Sequence, residues 1–482
     1  MLLAIPLLSL SQRSTVPPRT SLYPDISGTT SRNYVLEFTS TSGDEYQGVT
    51  KVTYLDGMGR PVESITSGVS RDGFDIVEAI EYDDHGRQNR QWISTPLRNS
   101  TKSGYVPTSV AKSAISAYHC DAFPFSSIEY EAFRAGKPIS EQRPGQQSYF
   151  AHAKQTCSYA ANDASSPNLS CRRYSAFSVG ECDVRITDNG TCPSGTYRVI
   201  HTIDYDGTET LDFSDRSNRL YLQRKISGKE TADTYYLRDG SGSLIAVLPP
   251  LLSNSGLSSD AINNHAYLYS YDSQHRLAAY KRPGCSWRRF RYDKSDRAIM
   301  EQDGKLLSEG ISIFHLYDRH GRECITGTCR NKMNDASWQS SSVYCEYIGE
   351  KGTFLGYNVS GITLESPKII KTNYYDNYNF INLIDEDMSF RQREAGDTYK
   401  TSPATLLTGS ISAILGGPDT LFLKSVSYYE DRNKPIQTIS TSIVGGIDVV
   451  NMTYTEGGLL SLRTLYHEMT REKTATERYS YT

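Results

Sequence analysis

Tyr317-Asp318-Arg319-His320-Gly321-Arg322 decides how this chain is read, because the chain repeats it. The same phrase, Tyr-Asp, a two-residue gap, then Gly-Arg, stands at Tyr82-Asp83-Asp84-His85-Gly86-Arg87. With one extra residue it stands at Tyr54-Leu55-Asp56-Gly57-Met58-Gly59-Arg60. Tyr271-Asp272-Ser273-Gln274-His275-Arg276 and Tyr292-Asp293-Lys294-Ser295-Asp296-Arg297 lack the glycine, and the stretches Tyr236 to Gly242 and Tyr429 to Lys434 are more worn. Recurrence of this kind marks a repeat architecture, and a structural job, rather than a single catalytic pocket.

Each copy reads as a strand, a turn and a returning strand. Tyrosine preceded by alternating apolar residues, as in Val52-Thr53-Tyr54, suits a pleated, half-buried surface. The Asp side chain accepts from backbone N–H groups two residues on, and Gly takes the positive φ that closes a hairpin. Arg then leads into a second strand, at Pro61 to Ile65 and Glu323 to Gly327. Where His275 or Asp296 replaces Gly, the turn is expected to be longer or Asn-like. Turn chemistry accounts for these Asp and Arg residues without any catalysis.

The 482 residues suffice for several ordinary domains or one long array. Tyrosine outnumbers phenylalanine 35 to 14, 37% of residues are apolar, and mean hydropathy is negative. A strand surface with one wet face fits these figures better than a thick aliphatic core. A net charge of −4 with both signs interspersed gives no basic footprint for nucleic acid. Met1 to Leu10 resembles the apolar region of a secretory signal without preceding basic residues; read as an incomplete signal it favours a secreted or cell-surface protein, and read as a plain apolar N-terminus it leaves a cytoplasmic one as the alternative. No other stretch has the ~18 apolar residues of a membrane span.

Residues 1–32 read as an apolar N-terminus and linker, 33–150 as a β domain, 151–196 as a Cys/Ser/Asn-rich insert, and 197–350 and 351–482 as repeat regions. One short helix is expected near 108–118, with Val110, Ala114, Ala117 and Tyr118 on one face and Thr108 or Ser109 as cap. Cys157, Cys171, Cys182 and Cys192 contain no C-x-x-C pair. They read either as two disulfides of open connectivity stapling a segment that buries little, or as unpaired thiols. Cys324 and Cys329 either face each other across a turn or belong to the core.

With these residues in place, the chain resembles the bacterial YD-repeat, or RHS, family. The resemblance rests on the repeats and on Trp92-Ile93, Arg143-Pro144-Gly145, Asp233-Thr234-Tyr235-Tyr236, Ala246 to Pro250, Asn373-Tyr374-Tyr375-Asp376 and Leu406 to Ser410, and it spans about residues 33 to 465. It implies an all-β fold in which repeated hairpins form a spiral ribbon or shell, headed at 33–150 by the family's N-terminal domain. It also implies a structural role, enclosing or displaying a C-terminal toxin or effector. The family's cargo-clipping core segment and a following toxin are not found, so the chain is expected to be part of a longer wall or a copy without cargo.

The expected partners are therefore the remainder of a shell or a toxin cargo. The alternative is a surface module binding carbohydrate or protein, with Trp92, Trp287 or Trp338 as stacking platforms. Neither cofactor nor metal is expected. His467-Glu468 is followed by Arg471 where a zinc-binding helix would place its second histidine, and Gly240-Ser241-Gly242-Ser243 lacks the Lys of a phosphate loop. His85 and His320 hold matching turn positions, and Asp83 with Asp84 and Asp204 with Asp206 read as turn caps rather than acid/base pairs. A non-enzymatic protein is the expectation.

Overall fold

The Asp-led turns set the architecture, because each one returns the chain as an antiparallel strand with the same register offset. In the computed structural model, residues 32–478 are described except 41–47, 71–72, 98–102, 134–135, 152–153, 335–340, 351, 353, 393–397, 417–420, 431–432, 444, 455–459 and 468–471. The apolar stretch Met1 to Leu10, Trp338, Glu468 and Arg471 lie outside the described residues.

The chain forms two compact units. The first holds residues 32–129 and 142–151 among those described. Its antiparallel ladder runs from Tyr34–Ser40 through Gly48–Leu55 and Pro61–Thr66 to Asp75–Tyr82. Asp75–Tyr82 then divides its partners, pairing its first half with Thr95–Leu97 and its second with Gln88–Trp92. The expected helix is present at Thr108–His119, but it buries Ala111 and Ile115, while Val110 is 55% and Tyr118 59% exposed. Ala111 packs on Val52, Tyr54, Ile65 and Val77, and Ile115 on Ala79 and Trp92. Pro107 occupies the N-cap without a side-chain hydrogen bond, so neither Thr108 nor Ser109 caps the helix.

The second unit holds residues 130–141 and 154–478. Its ladder starts with Lys154–Ala161, Arg198–Ile203, Glu209–Ser214, Leu220–Ser227, Glu230–Arg238 and Leu244–Leu248. It continues through Tyr267–Tyr271, Leu277–Lys281, Arg288–Tyr292, Ala298–Gln302, Ser312–Tyr317 and Glu323–Cys329. After an excursion it resumes at Lys368–Tyr375, Leu407–Ala413, Phe422–Tyr429, Pro435–Thr441, Ile447–Tyr454, Leu460–His467 and Glu472–Arg478. Every step is antiparallel and joins a strand to the next ladder strand in sequence, so the fold is all-β and built from consecutive hairpins.

Period-two burial makes one face of this ladder its core. Ser312–Tyr317 buries Ser312, Phe314 and Leu316 and leaves Ile313, His315 and Tyr317 half-buried. Phe314, Leu316 and Ile325 join Tyr374, Phe380, Val426 and Tyr428 in one cluster, and Phe213, Leu222, Tyr235 and Leu248 belong to another. Tyrosine thus also serves as core filler. Tyr54, Tyr235, Tyr374 and Tyr428 are fully buried, and the hydroxyls of Tyr54, Tyr374 and Tyr428 donate to the carbonyls of Ser103, Leu355 and Met388.

Among the described residues four further short α-helices accompany the expected one, at Gln146–Phe150, Pro250–Ser255, Ser259–His265 and Gly304–Glu309. The Cys-rich insert is a hairpin of Arg172–Gly180 and Asp183–Thr191 that buries Cys171, Tyr174, Ala176 and Cys192 in the core. Its strand alternation supplies an apolar face that a Ser/Asn-rich composition conceals. Cys324 and Cys329 lie on one strand, Glu323–Cys329, and are both buried there rather than facing each other across a turn.

Candidate functional site

The repeat phrase builds one five-residue turn again and again. Asp56, Asp83, Asp272, Asp293 and Asp318 each donate their amide to the carbonyl of the residue four on, which is Arg60, Arg87, Arg276, Arg297 and Arg322. The residue three on returns its amide to the Asp carbonyl. It is Gly59, Gly86 and Gly321 in the full copies, at φ of 78°, 80° and 81°. His275 and Asp296 take the same left-handed conformation at φ 60°, so the turn keeps its length and the substitute behaves as Asn would. A one-residue register shift at the tyrosine follows in each hairpin, because the left-handed residue makes a bulge.

The Asp side chain holds this turn closed with both oxygens. In all five turns Oδ1 accepts the amides of the residues two and four on, and Oδ2 accepts from the Arg Nε, at 2.7–3.2 Å. The Arg60 amide and guanidinium hold Asp56 below the usual carboxylate range. At Asp83 and Asp272 burial pushes the other way, and the hydrogen bonds from Arg87 and Arg276 outweigh it.

The guanidinium, fixed by its Nε, reaches forward to the next hairpin. Arg60 lies over the Tyr82 ring at 4.4 Å, Arg276 over Tyr292 at 4.7 Å, Arg297 over Tyr317 at 5.6 Å and Arg322 over Tyr375 at 4.5 Å. Each of these tyrosines donates its hydroxyl to the carbonyl just after that arginine: Tyr82 to Pro61, Tyr292 to Leu277, Tyr317 to Ala298 and Tyr375 to Glu323, at 2.7–3.1 Å. The remaining guanidinium nitrogens reach the following turn. Arg276 bonds Asp296, Arg297 bonds the Asp318 carbonyl, and Arg322 bonds both Asp376 oxygens. A Cβ on Gly86 would collide with the Arg60 guanidinium for the same reason. One ring contact and one hydroxyl bond of this type contribute about 0.5–1.5 kcal/mol each.

Tyr82, Tyr292, Tyr317 and Tyr375 therefore serve the preceding copy's arginine, whereas Tyr271 keeps only the hydroxyl bond, to the Leu244 carbonyl after Ser243, and Tyr54 stands apart with its hydroxyl on Ser103. In the worn copy ending at Lys434, that lysine lies over Tyr454 at 5.2 Å. Two related turns escape a search anchored on Tyr-Asp: Asp215 and Arg219 repeat the full capping pattern around Asn218 at φ 60°, and Lys137 lies over Tyr159 at 4.3 Å. An Asp-x-x-[Gly/Asn]-Arg pattern finds the first of these.

The other sequence candidates do not converge. His85 and His320 sit on exposed turns and donate their amides to Asp83 and Asp318. Asp206 accepts from the Thr208 amide, and Asp204 closes its own turn. Gly242 closes the turn led by Asp239. His467 bonds Asp448 on the neighbouring strand at 2.7 Å. Among the described residues no group of three or more His, Cys, Asp or Glu is placed to hold a metal ion. Trp92 is 7% exposed and donates to Glu81, and Trp287 packs half-buried on the core. Among the described residues no helix is long and apolar enough to cross a membrane.

A family described as a domain of unknown function, DUF6443, matches residues 29–161. No curated protein matches the chain. Its fold is similar to that of the solved TcdB2-TccC3, with 11% identity over 96% of this chain and 24% of that one and a TM-score of 0.45. TcdB2-TccC3 without its hypervariable C-terminal region gives 14% identity over 97% and 22%, with a TM-score of 0.47. A Photorhabdus luminescens Tc holotoxin pore gives 13% over 93% and 21%, also at 0.47. The chain spans about a quarter of the length of the solved structures it matches.

Proposed function

We propose that this chain is a structural segment of a YD-repeat β-shell that encloses or displays an effector polypeptide, and that it is not itself an enzyme. The forward-reaching arginine carries this reading. A residue whose partners lie one hairpin ahead has its chemistry used up in joining repeats, and a ladder joined in this way extends as a wall. The wall's polar, half-buried face alternates with a packed core face, which suits a partition between solvent and contents.

Expressed in its native reading frame and operon, the chain should co-purify with a polypeptide that resists protease until urea unfolds the ladder. A homogeneous preparation with no protected polypeptide would overturn the shell reading. Turnover in a broad hydrolase screen, lost on substitution of a ladder carboxylate, would overturn the non-enzymatic one.

A further inference from the structure

Among the described residues two hairpins stand outside the main ladder, Arg172–Gly180 with Asp183–Thr191 and Tyr344–Tyr347 with Tyr357–Ser360. Each brings a buried cysteine against a second one. Cys171 and Cys192 flank the register pair Arg172 and Thr191, so they are the next cross-strand partners, and the Cys192 amide donates to the Cys171 carbonyl at 2.9 Å. Partners of this kind hold their Cα atoms about 5.5 Å apart, inside the range of roughly 4.4–6.8 Å that a disulfide spans. The two residues are 3% and 1% exposed and belong to the same core cluster. In the second hairpin Cys345 packs in the same core cluster as Cys324 of the ladder strand Glu323–Cys329, and both residues are 1% exposed. Cys157 and Cys182 face other groups, the Thr202 hydroxyl at 3.8 Å and the Arg289 guanidinium at 3.2 Å.

We propose that Cys171–Cys192 and Cys324–Cys345 are two oxidation sites: the first disulfide closes one side hairpin at its root, and the second clamps the other side hairpin onto the ladder. In each, two S–H bonds break and one S–S bond forms. The two protons and two electrons pass to an external disulfide, such as glutathione disulfide, which is reduced to two thiols. Burial holds the Cys171 thiol up at about 12, so exchange there requires the hairpin to open or not yet to have closed.

The first disulfide lies where the hairpin meets the core. The Tyr174 amide donates to the Tyr221 hydroxyl at 2.9 Å, the Arg172 amide to the Tyr235 hydroxyl at 3.1 Å, and the Tyr221 hydroxyl to the Arg172 carbonyl at 3.0 Å. A bond at the hairpin's root holds these contacts in register. The assignment is independent of the shell reading.

The full chain, refolded in a glutathione redox buffer, alkylated and mapped without reduction, should yield linked 171–192 and 324–345 peptides, with the other five of its nine cysteines alkylated. Proteolysis within Arg172–Thr191 should slow about tenfold or more on oxidation. Cys171→Ser with Cys192→Ser should abolish that difference and keep the 324–345 link. Cys120→Ser with Cys285→Ser removes both exposed thiols and should leave both links and the protection unchanged. Nine alkylated cysteines after oxidation, or a link from Cys157 or Cys182 to Cys171 or Cys192, would overturn the assignment.

Discussion

Asp318 accepts the amides of His320 and Arg322 on one oxygen and the Arg322 guanidinium on the other. That geometry needs Gly321 at φ 81°, where a Cβ would touch nothing within 4 Å, so any cost of a side chain there is conformational. Gly321→Ala should therefore lose about 1–2 kcal/mol, read as a lower urea midpoint. Gly57→Ala, at an open position without positive φ, should stay within about 0.5 kcal/mol of the parent. Equal losses at both would show that the turn imposes no left-handed requirement. His315 carries a second residue-scale expectation. Its Nδ1 lies 2.7 Å from Glu323 and its Nε2 3.9 Å from Glu301, and Arg288 also bonds Glu301. Burial lowers the imidazole pKa, but the carboxylates outweigh it and raise it above 6.5. Glu301 is lowered to about 2 by the His315 hydrogen bond, with Arg288 adding to it against burial. A raised histidine contributes fully below its unfolded value of 6.5 and loses that contribution as pH rises through the folded value. A lowered glutamate contributes fully above 4.5 and loses it toward 2. The cluster is thus strongest from 4.5 to 6.5. The urea-midpoint difference between the parent and His315→Gln should shrink from pH 6.5 to about pH 8.5, and a constant difference would rule the ion pairing out.

At the scale of single elements, the helix Thr108–His119 separates what the chain shows locally from what packing decides. Its existence follows from helical spacing, but two overlapping stripes fit that spacing. The one used, Ala111 with Ile115, is selected by where Val52, Tyr54, Ala79 and Trp92 leave room. Ile115→Ala should cost about 2–4 kcal/mol, whereas Val110→Ser and Tyr118→Ser should each stay within about 0.5 kcal/mol. Thermal unfolding of the three variants distinguishes this from the face that periodicity alone suggests, for which the ranking is reversed. The hairpins were legible because a turn is closed by its own residues, and Asp318 to Arg322 needs nothing from elsewhere to bend. The joining of hairpins was not, since Arg276 meets Tyr292 only after both strands have folded. Arg224 with Asp233 is hidden in the same way. The pair is buried, and Arg224 also donates to the carbonyls of Asn168 and Ser170 in a loop far away in sequence. The insert's buried Tyr174 and Ala176 become visible only when residues 172–191 are recognised as alternating strands.

Across the larger unit, each ladder strand pairs with its neighbours in sequence, so stability is close to a sum of local hairpins and the joints between them. The joints are not equal. At Arg322 one guanidinium ties Asp318 in its own turn, Asp376 in the next and the Tyr375 ring at 4.5 Å, across an excursion that leaves the ladder after Cys329 and returns at Lys368. Arg322→Ala removes all three ties and leaves two carboxylates without that partner, at about 1–3 kcal/mol. In a one-dimensional array that loss stays near the broken joint, because distant hairpins exchange no contacts with it. Hydrogen exchange should then quicken about tenfold or more in the amides of Ser312–Tyr317, Glu323–Cys329 and Lys368–Tyr375, while Arg198–Ile203 and Glu209–Ser214 keep the parent's protection. A uniform rise along the ladder would mean that it unfolds as one cooperative body, and the arginine-to-tyrosine joints would then lose their place as what divides the ladder into separable steps.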